Sequence, residues 1–198
     1  MQVSIISGSQ QKNSQSWKSA EHIAGQLTSQ QRFSSCSLID LSLAPLPLFD
    51  PAEPRAGKWE ELSSSLRTSA ALLVISPEWH GMAPSALKNF FLYCTQAEVG
   101  HKPALLVTIS SGVGGTYPVA ELRMSSYKNN RLLWLPEQVI LRNIGGFLAS
   151  KPETDEEPFK NLHARLSYNL SLLHEYAKAL TQVRQSEVFN PQLFPNGM

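Results

Sequence analysis

Charge, cysteine and metal-ligand patterns are all scarce in this 198-residue sequence. Seventeen Lys and Arg stand against sixteen Asp and Glu, a formal net charge of +1. Such a balance gives neither the basic footprint of a nucleic-acid binder nor a strongly acidic docking face, and leaves small neutral or anionic molecules as partners. The cysteines are Cys36 and Cys94, far apart, with no C-x-x-C and no zinc-ligand spacing; a disulfide framework is excluded and a reducing compartment fits. The histidines His22, His80, His101, His163 and His174 form no H-E-x-x-H, and no metal is expected. No apolar run is long enough to span a bilayer, and the N-terminus enters a strand at once, without a basic region, a long apolar stretch and a cleavage site. These absences lead to the expectation of a soluble cytoplasmic protein with neither a membrane nor a nucleic-acid partner.

What the sequence does have is a hydroxyl-rich joint between a strand and a helix. Val3, Ile5 and Ile6 form a short β-branched run, and Trp17, Ala20, Ile23, Ala24 and Leu27 recur at helical spacing. Between them runs Ser7-Gly8-Ser9-Gln10-Gln11-Lys12-Asn13-Ser14-Gln15-Ser16. A loop that opens a helix at the carboxyl end of a strand presents unpaired N–H groups and the positive end of the macrodipole. With hydroxyls from Ser9, Ser14 and Ser16 it suits a phosphate. A plainer reading makes Ser14 an N-cap and the other serines solvated loop residues.

Further along, Ser37 to Leu41 reads as a second strand, and Ala44 to Pro51 as a structured loop whose prolines forbid regular structure. Trp59, Leu62 and Leu66 outline a weak amphipathic helix. Ala70 to Ile75 and Ala104 to Ile109 are unbroken apolar runs, as parallel strands covered on both faces require. A helix beginning near Pro84 carries Leu87, Phe90, Phe91 and Cys94, and Pro118 starts another with Val119 and Leu122. Glu137 to Leu141 reads as a short fifth strand. Phe159, Leu162, Leu166, Leu170, Leu173, Ala177 and Leu180 describe a long final helix with Glu153, Asp155, Glu156 and Glu157 gathered before it.

Strands alternating with helices indicate an α/β fold, here a flavodoxin-like three-layer arrangement around a five-stranded parallel sheet. Residues 1–185 are expected to form a single domain and 186–198, with Pro191 and Pro195, an irregular arm. In such a sheet the loops after strands one, three and four converge. Here these are Ser7 to Ser16, Ser76 to Met82 and Ser110 to Gly115.

From the first strand to about Asn143 the chain resembles the NADPH-dependent FMN reductase family. Gly8-Ser9 followed by Ser14 matches the family's phosphate loop, and Pro77-Glu78-Trp79-His80-Gly81 resembles its Pro-Glu-Tyr-Asn-Gly segment beside the flavin ring. Leu87-Lys88-Asn89 matches the following helix, Ser111-Gly112-Val113-Gly114-Gly115 the second glycine-rich loop, and Glu121-Leu122-Arg123 a related Leu-Arg site. The resemblance implies FMN as cofactor and NADPH or NADH as electron donor. It also implies Ser9, Gln11, Ser14, Gln15, Ser16, Pro77, Glu78, Trp79, His80, Gly81, Ser111, Gly112 and Gly115 as cofactor-binding residues. The acceptor would be a quinone, a nitro or azo compound, free flavin or a metal oxyanion, reduced by a ping-pong mechanism. No side chain is assigned as a catalytic acid or base, since the flavin carries the chemistry.

Two departures stand out. Gln11 occupies the place of a usual Arg, removing a planar charged fork, with Lys12 as its only nearby substitute. Trp79-His80 replaces Tyr-Asn, which keeps an aromatic ring but changes the polar group beside it. Glu78 is expected to point away from the flavin or to cap a nearby helix, because a carboxylate disfavours charge on a reduced flavin. Apolar residues Leu46, Leu48, Phe49, Phe90 and Phe91, with the family resemblance, lead to an expected homodimer or homotetramer. Ser85-Ala86-Leu87-Lys88 fits S-x-x-K but opens a helix without companion motifs. A flavodoxin-like electron carrier or a redox-silent FMN-binding protein is the alternative reading; near-neutral charge disfavours the carrier.

Overall fold

The computed structural model describes residues 1–190 and 192–194. Pro191 and Pro195 of the expected C-terminal arm lie outside the described residues. Five strands, β1 (Gln2–Ser7), β2 (Ser35–Asp40), β3 (Ser69–Pro77), β4 (Pro103–Ile109) and β5 (Leu133–Leu141), form one sheet in the order β2-β1-β3-β4-β5. Every neighbouring pair is parallel. This is the flavodoxin-like order, whose direction of winding reverses beside β1 and opens a crevice at the carboxyl ends of the strands.

Side chains of successive strand residues alternate between the two faces, so an unbroken apolar run fills both. Leu73 and Ile75 of β3 join Val3, Ile5, Leu105 and Val107 beneath α1 (Gln15–Ser29) and α7 (Phe159–Gln185). Leu72 and Val74 face the other way, against α2 (Lys58–Thr68), α3 (Ser85–Tyr93) and α5 (Thr116–Ser125), where Trp59, Leu66, Leu87, Phe90 and Leu122 complete the layer. Two short helices, α4 (Gln96–Val99) and α6 (Ile144–Ala149), had no counterpart in the sequence reading. No helix among the described residues is long and apolar enough to cross a membrane.

Three local outcomes differ from expectation. β5 begins four residues before Glu137 and carries Pro136 inside it, which an edge strand tolerates because one row of its N–H groups has no partner strand. Phe90 and Phe91 are buried, and Leu46 and Phe49 are half-buried, so of the five apolar residues expected at a surface only Leu48 is fully out. The proline-rich loop instead packs on α3 of its own chain. There Asn89 accepts the Phe49 N–H (2.9 Å) and donates to the Pro47 carbonyl (2.8 Å), and Tyr93 Oη donates to the same carbonyl.

Candidate flavin site

Three loops meet at the carboxyl end of the sheet, around a cavity of about 160 Å³. Its lining includes Ser9, Gln11, Ser14, Gln15 and Ser16 from the first loop, Pro77, Glu78 and Trp79 from the second, and Ser111 from the third. Ile109, Ser110 and Ile144 complete it. His80, Gly81, Gly112 and Gly115, expected at the site, do not border this cavity.

The first loop ends in a true N-cap. Ser14 Oγ accepts the Trp17 N–H at 3.1 Å, which leaves its own hydroxyl proton free. The amides of Gln15 and Ser16 head α1 with no helical carbonyl to receive them. Ser16 is 1 % exposed, and its Oγ has no hydrogen-bond partner among the described residues. A buried hydroxyl without a partner is costly, by about 1–3 kcal/mol, unless a ligand or water meets it. Neither Lys12 nor any other lysine or arginine lines the cavity. The anion-attracting elements are therefore helix amides, the dipole and hydroxyls, with Gln11 supplying only a neutral amide.

The second loop is a tight reversal. Trp79 and Met82 exchange both backbone hydrogen bonds (3.0 and 2.9 Å), and the two residues between them lie at φ 50° for His80 and φ 75° for Gly81. Positive φ at both central positions is the requirement of a type I′ turn, which Asn-Gly usually meets. Histidine is among the side chains enriched there. The His80 substitution thus preserves a backbone conformation, and its exposed ring is a turn residue. Glu121 of α5 clamps the end of this turn, accepting the Ala83 N–H and the Lys88 ammonium, each at 2.7 Å. Partial burial pushes its carboxyl up, but those bonds outweigh burial and hold it below the usual range.

Glu78 joins the second loop to the third. One carboxylate oxygen accepts the Gly115 N–H at 2.6 Å, capping α5, whose N-cap residue is Gly115. A Cβ on Gly114 would lie 2.6 Å from the other oxygen, and one on Gly115 would lie 2.5 Å from Ile140 Cγ2. The glycines of this loop thus make room for Glu78 and the sheet edge. The loop's far side is held by α6, where Ile144 donates to the Ser110 carbonyl and Asn143 to the Gly112 carbonyl, both at 3.1 Å. Ile144 and Ile109 escaped the sequence reading because an isoleucine at a strand or helix end carries no signal of site chemistry.

Residues 1–145 match the model of NADPH-dependent FMN reductases. The chain belongs to that family. A curated relative, the NADPH azoreductase of Bacillus sp. strain OY1-2, is 25 % identical over 143 residues, covering 71 % of this chain and 76 % of the relative. Among solved structures, an NADH:FMN oxidoreductase in its apo form superposes with a TM-score of 0.67 at 17 % identity, covering 97 % of this chain and 98 % of that one. The flavoenzyme NAD(P)H:(acceptor) oxidoreductase FerB from Paracoccus denitrificans gives 0.60 at 18 %, over 90 % and 97 %. At such identities the structural likeness establishes the fold, while the family match establishes the chemistry. This FMN reductase is an NAD(P)H-dependent oxidoreductase with FMN as its cofactor.

Proposed function

We propose that the 160 Å³ cavity is the phosphate end of the FMN site. The unpartnered Ser16 hydroxyl, buried at the head of α1, carries this reading. Ser9, Ser14 and Ser16 with the Gln15 and Ser16 amides would hold the phosphate. Pro77, Glu78, Trp79, Ser110 and Ser111 would border the remainder, and Gln11 would contribute a neutral contact. FMN, when bound, supplies the two-electron chemistry that passes a hydride equivalent from NAD(P)H to an acceptor. The cavity is below the roughly 300 Å³ from which pockets enclose drug-sized ligands, so part of the nucleotide stays open to its partners.

Around the mouth stand apolar groups left in solvent: Trp79 (46 % exposed), Met82 and, packed over Gly81, Tyr117. They offer flat acceptors a surface without a ring of dedicated polar groups. Acceptor choice is therefore broad, spanning quinones, nitro and azo compounds, free flavin and metal oxyanions. Nicotinamide and acceptor share one open face, so turnover is ping-pong.

Residues 1–185 act as one FMN-binding domain in a cytoplasmic homodimer or homotetramer. The surface supporting assembly is the exposed set Met82, Tyr117 and Met124, which would bring the subunit boundary near the flavin mouth. Parallel double-reciprocal plots at several acceptor concentrations test the mechanism. Converging plots would show that donor and acceptor bind together. Light scattering tests the assembly, with a monomer mass across a wide concentration range counting against it.

A further inference from the structure

A second concavity, of about 1120 Å³, lies beside the residues that precede β3 and β4 and shares no residue with the flavin cavity. Among the described residues six cationic side chains line it, Arg55, Arg67, Lys88, Lys102, Lys128 and Arg184, and no carboxylate does. Two of the six are neutralised from behind: Arg67 pairs with the buried Glu98 at 3.0 Å, and Lys88 with Glu121 at 2.7 Å.

Lys102 is only 5 % exposed, and its ammonium donates to the Leu66 (2.6 Å) and Arg67 (3.1 Å) carbonyls at the end of α2. That accounts for two of its three protons. Arg184 donates to the His101 carbonyl (2.8 Å) and to Thr181 Oγ1 (2.9 Å). The hydrogen-bond acceptors of both cations are thus neutral, and the Glu98 carboxylate acts on Lys102 only through space. The carboxyl end of α2 offsets about half a charge, so Arg55, Lys102, Lys128 and Arg184 leave between about three and four positive charges around one hollow. In a chain of net charge +1 this is a strong local concentration. A monoanion cannot balance it, whereas a diphosphate can. Phe91, Leu92 and Phe49, the last lying beneath the Arg55 guanidinium at 5.3 Å, add apolar wall for the body of a ligand.

We propose that this hollow binds a phosphorylated small molecule of nucleotide size through its diphosphate, outside the flavin cavity. Calorimetry on the FMN-saturated protein at low ionic strength tests it with inorganic pyrophosphate, ADP and adenosine. Pyrophosphate and ADP are expected to bind, adenosine not, with affinity falling steeply as salt is added. The double variant Arg55→Ala, Lys128→Ala removes two exposed side chains and should weaken pyrophosphate about tenfold or more while FMN affinity stays unchanged. Absence of pyrophosphate binding at millimolar concentration overturns the proposal. So does unaltered pyrophosphate affinity in the double variant, or release of FMN in step with pyrophosphate uptake, which would place the anion in the flavin cradle.

Discussion

The Glu78 carboxylate and the Gly115 amide meet at 2.6 Å, and through that bond the end of β3 fixes the start of α5. A glutamate beside a flavin pocket would otherwise disfavour the negative charge of a reduced flavin. Here the amino end of α5 takes up that charge, so the carboxylate is turned to positioning the third loop. The exposed Arg142, donating to the Gly114 carbonyl at 3.2 Å, steadies the same loop from the other side.

Glu78→Ala removes the acceptor and frees the loop that carries Ser110 and Ser111. A hydrogen bond to a charged group contributes about 1.5–3 kcal/mol, so FMN affinity should fall by about an order of magnitude or more. Glu78→Gln keeps an acceptor oxygen at the same reach and should lose far less. Fluorescence titration of FMN reads both; equal losses would mean that the charge, and not the bond to Gly115, matters.

Ser14 and Ser16 separate capping from ligand contact. Ser14→Ala loses the bond to Trp17 N–H, costing about 1 kcal/mol of stability, along with the contact proposed for it to the phosphate. Ser16→Ala loses nothing within the protein, since Ser16 Oγ is unpartnered there. It should weaken FMN severalfold and leave riboflavin unchanged. Equal loss for riboflavin would remove Ser16 from the phosphate site.

The turn at His80 predicts a conformational effect. His80→Asn should unfold at the same denaturant midpoint as the parent, because asparagine tolerates positive φ equally well. His80→Val places a β-branched residue at φ 50° and should cost about 1–3 kcal/mol. A valine variant as stable as the parent would show that the turn relaxes freely.

Acid should weaken the fold through its histidines. Burial is the main cause holding His22, His101 and His163 below 6.5; Arg131 and Arg184 add to it at His101, and His22 adds at His163 against a smaller opposite effect of Glu153. Such groups bind protons more readily when unfolded, so their contribution is complete above 6.5 and is lost as pH falls through their lowered values. Glu98 acts lower on the scale. Burial raises it, but bonds from Thr95, Ser63 and Arg67 outweigh that, so its contribution persists above 4.5 and goes as pH falls further. Urea midpoints should therefore drop from about pH 7 to about pH 5, and His163→Leu should flatten that slope. An unchanged slope would exclude His163 from the effect.

Legibility in the sequence followed physical isolation of the signal. Ala70 to Ile75 and Ala104 to Ile109 stood out because a strand covered on both faces needs an apolar residue at every position. The start of β5 did not, since its edge position mixes exposed and buried residues around Pro136. Helix α6 was hidden by Gly145 and Gly146, poor helix formers, and is fixed by the Asn143 cap and by Phe147 stacked on His163 at 4.4 Å. Phe90 and Phe91 were expected at a surface because a small monomer does not readily cover two adjacent aromatics; here Phe90 meets Trp59 of α2 and Phe91 meets Trp134 of β5. At the cavity, the serines stood out by residue type, and Pro77 to Trp79 by their resemblance to the family's segment. The turn role of His80 was not, since it depends on φ and not on the imidazole.

The most direct test is the flavin itself. The purified protein should be yellow, or turn yellow with added FMN, release FMN and not FAD on denaturation, and bleach when NADPH is added without oxygen or acceptor. A colourless protein that shows neither a thermal shift nor a fluorescence change with excess FMN would contradict the assignment of the α1 cavity as its site.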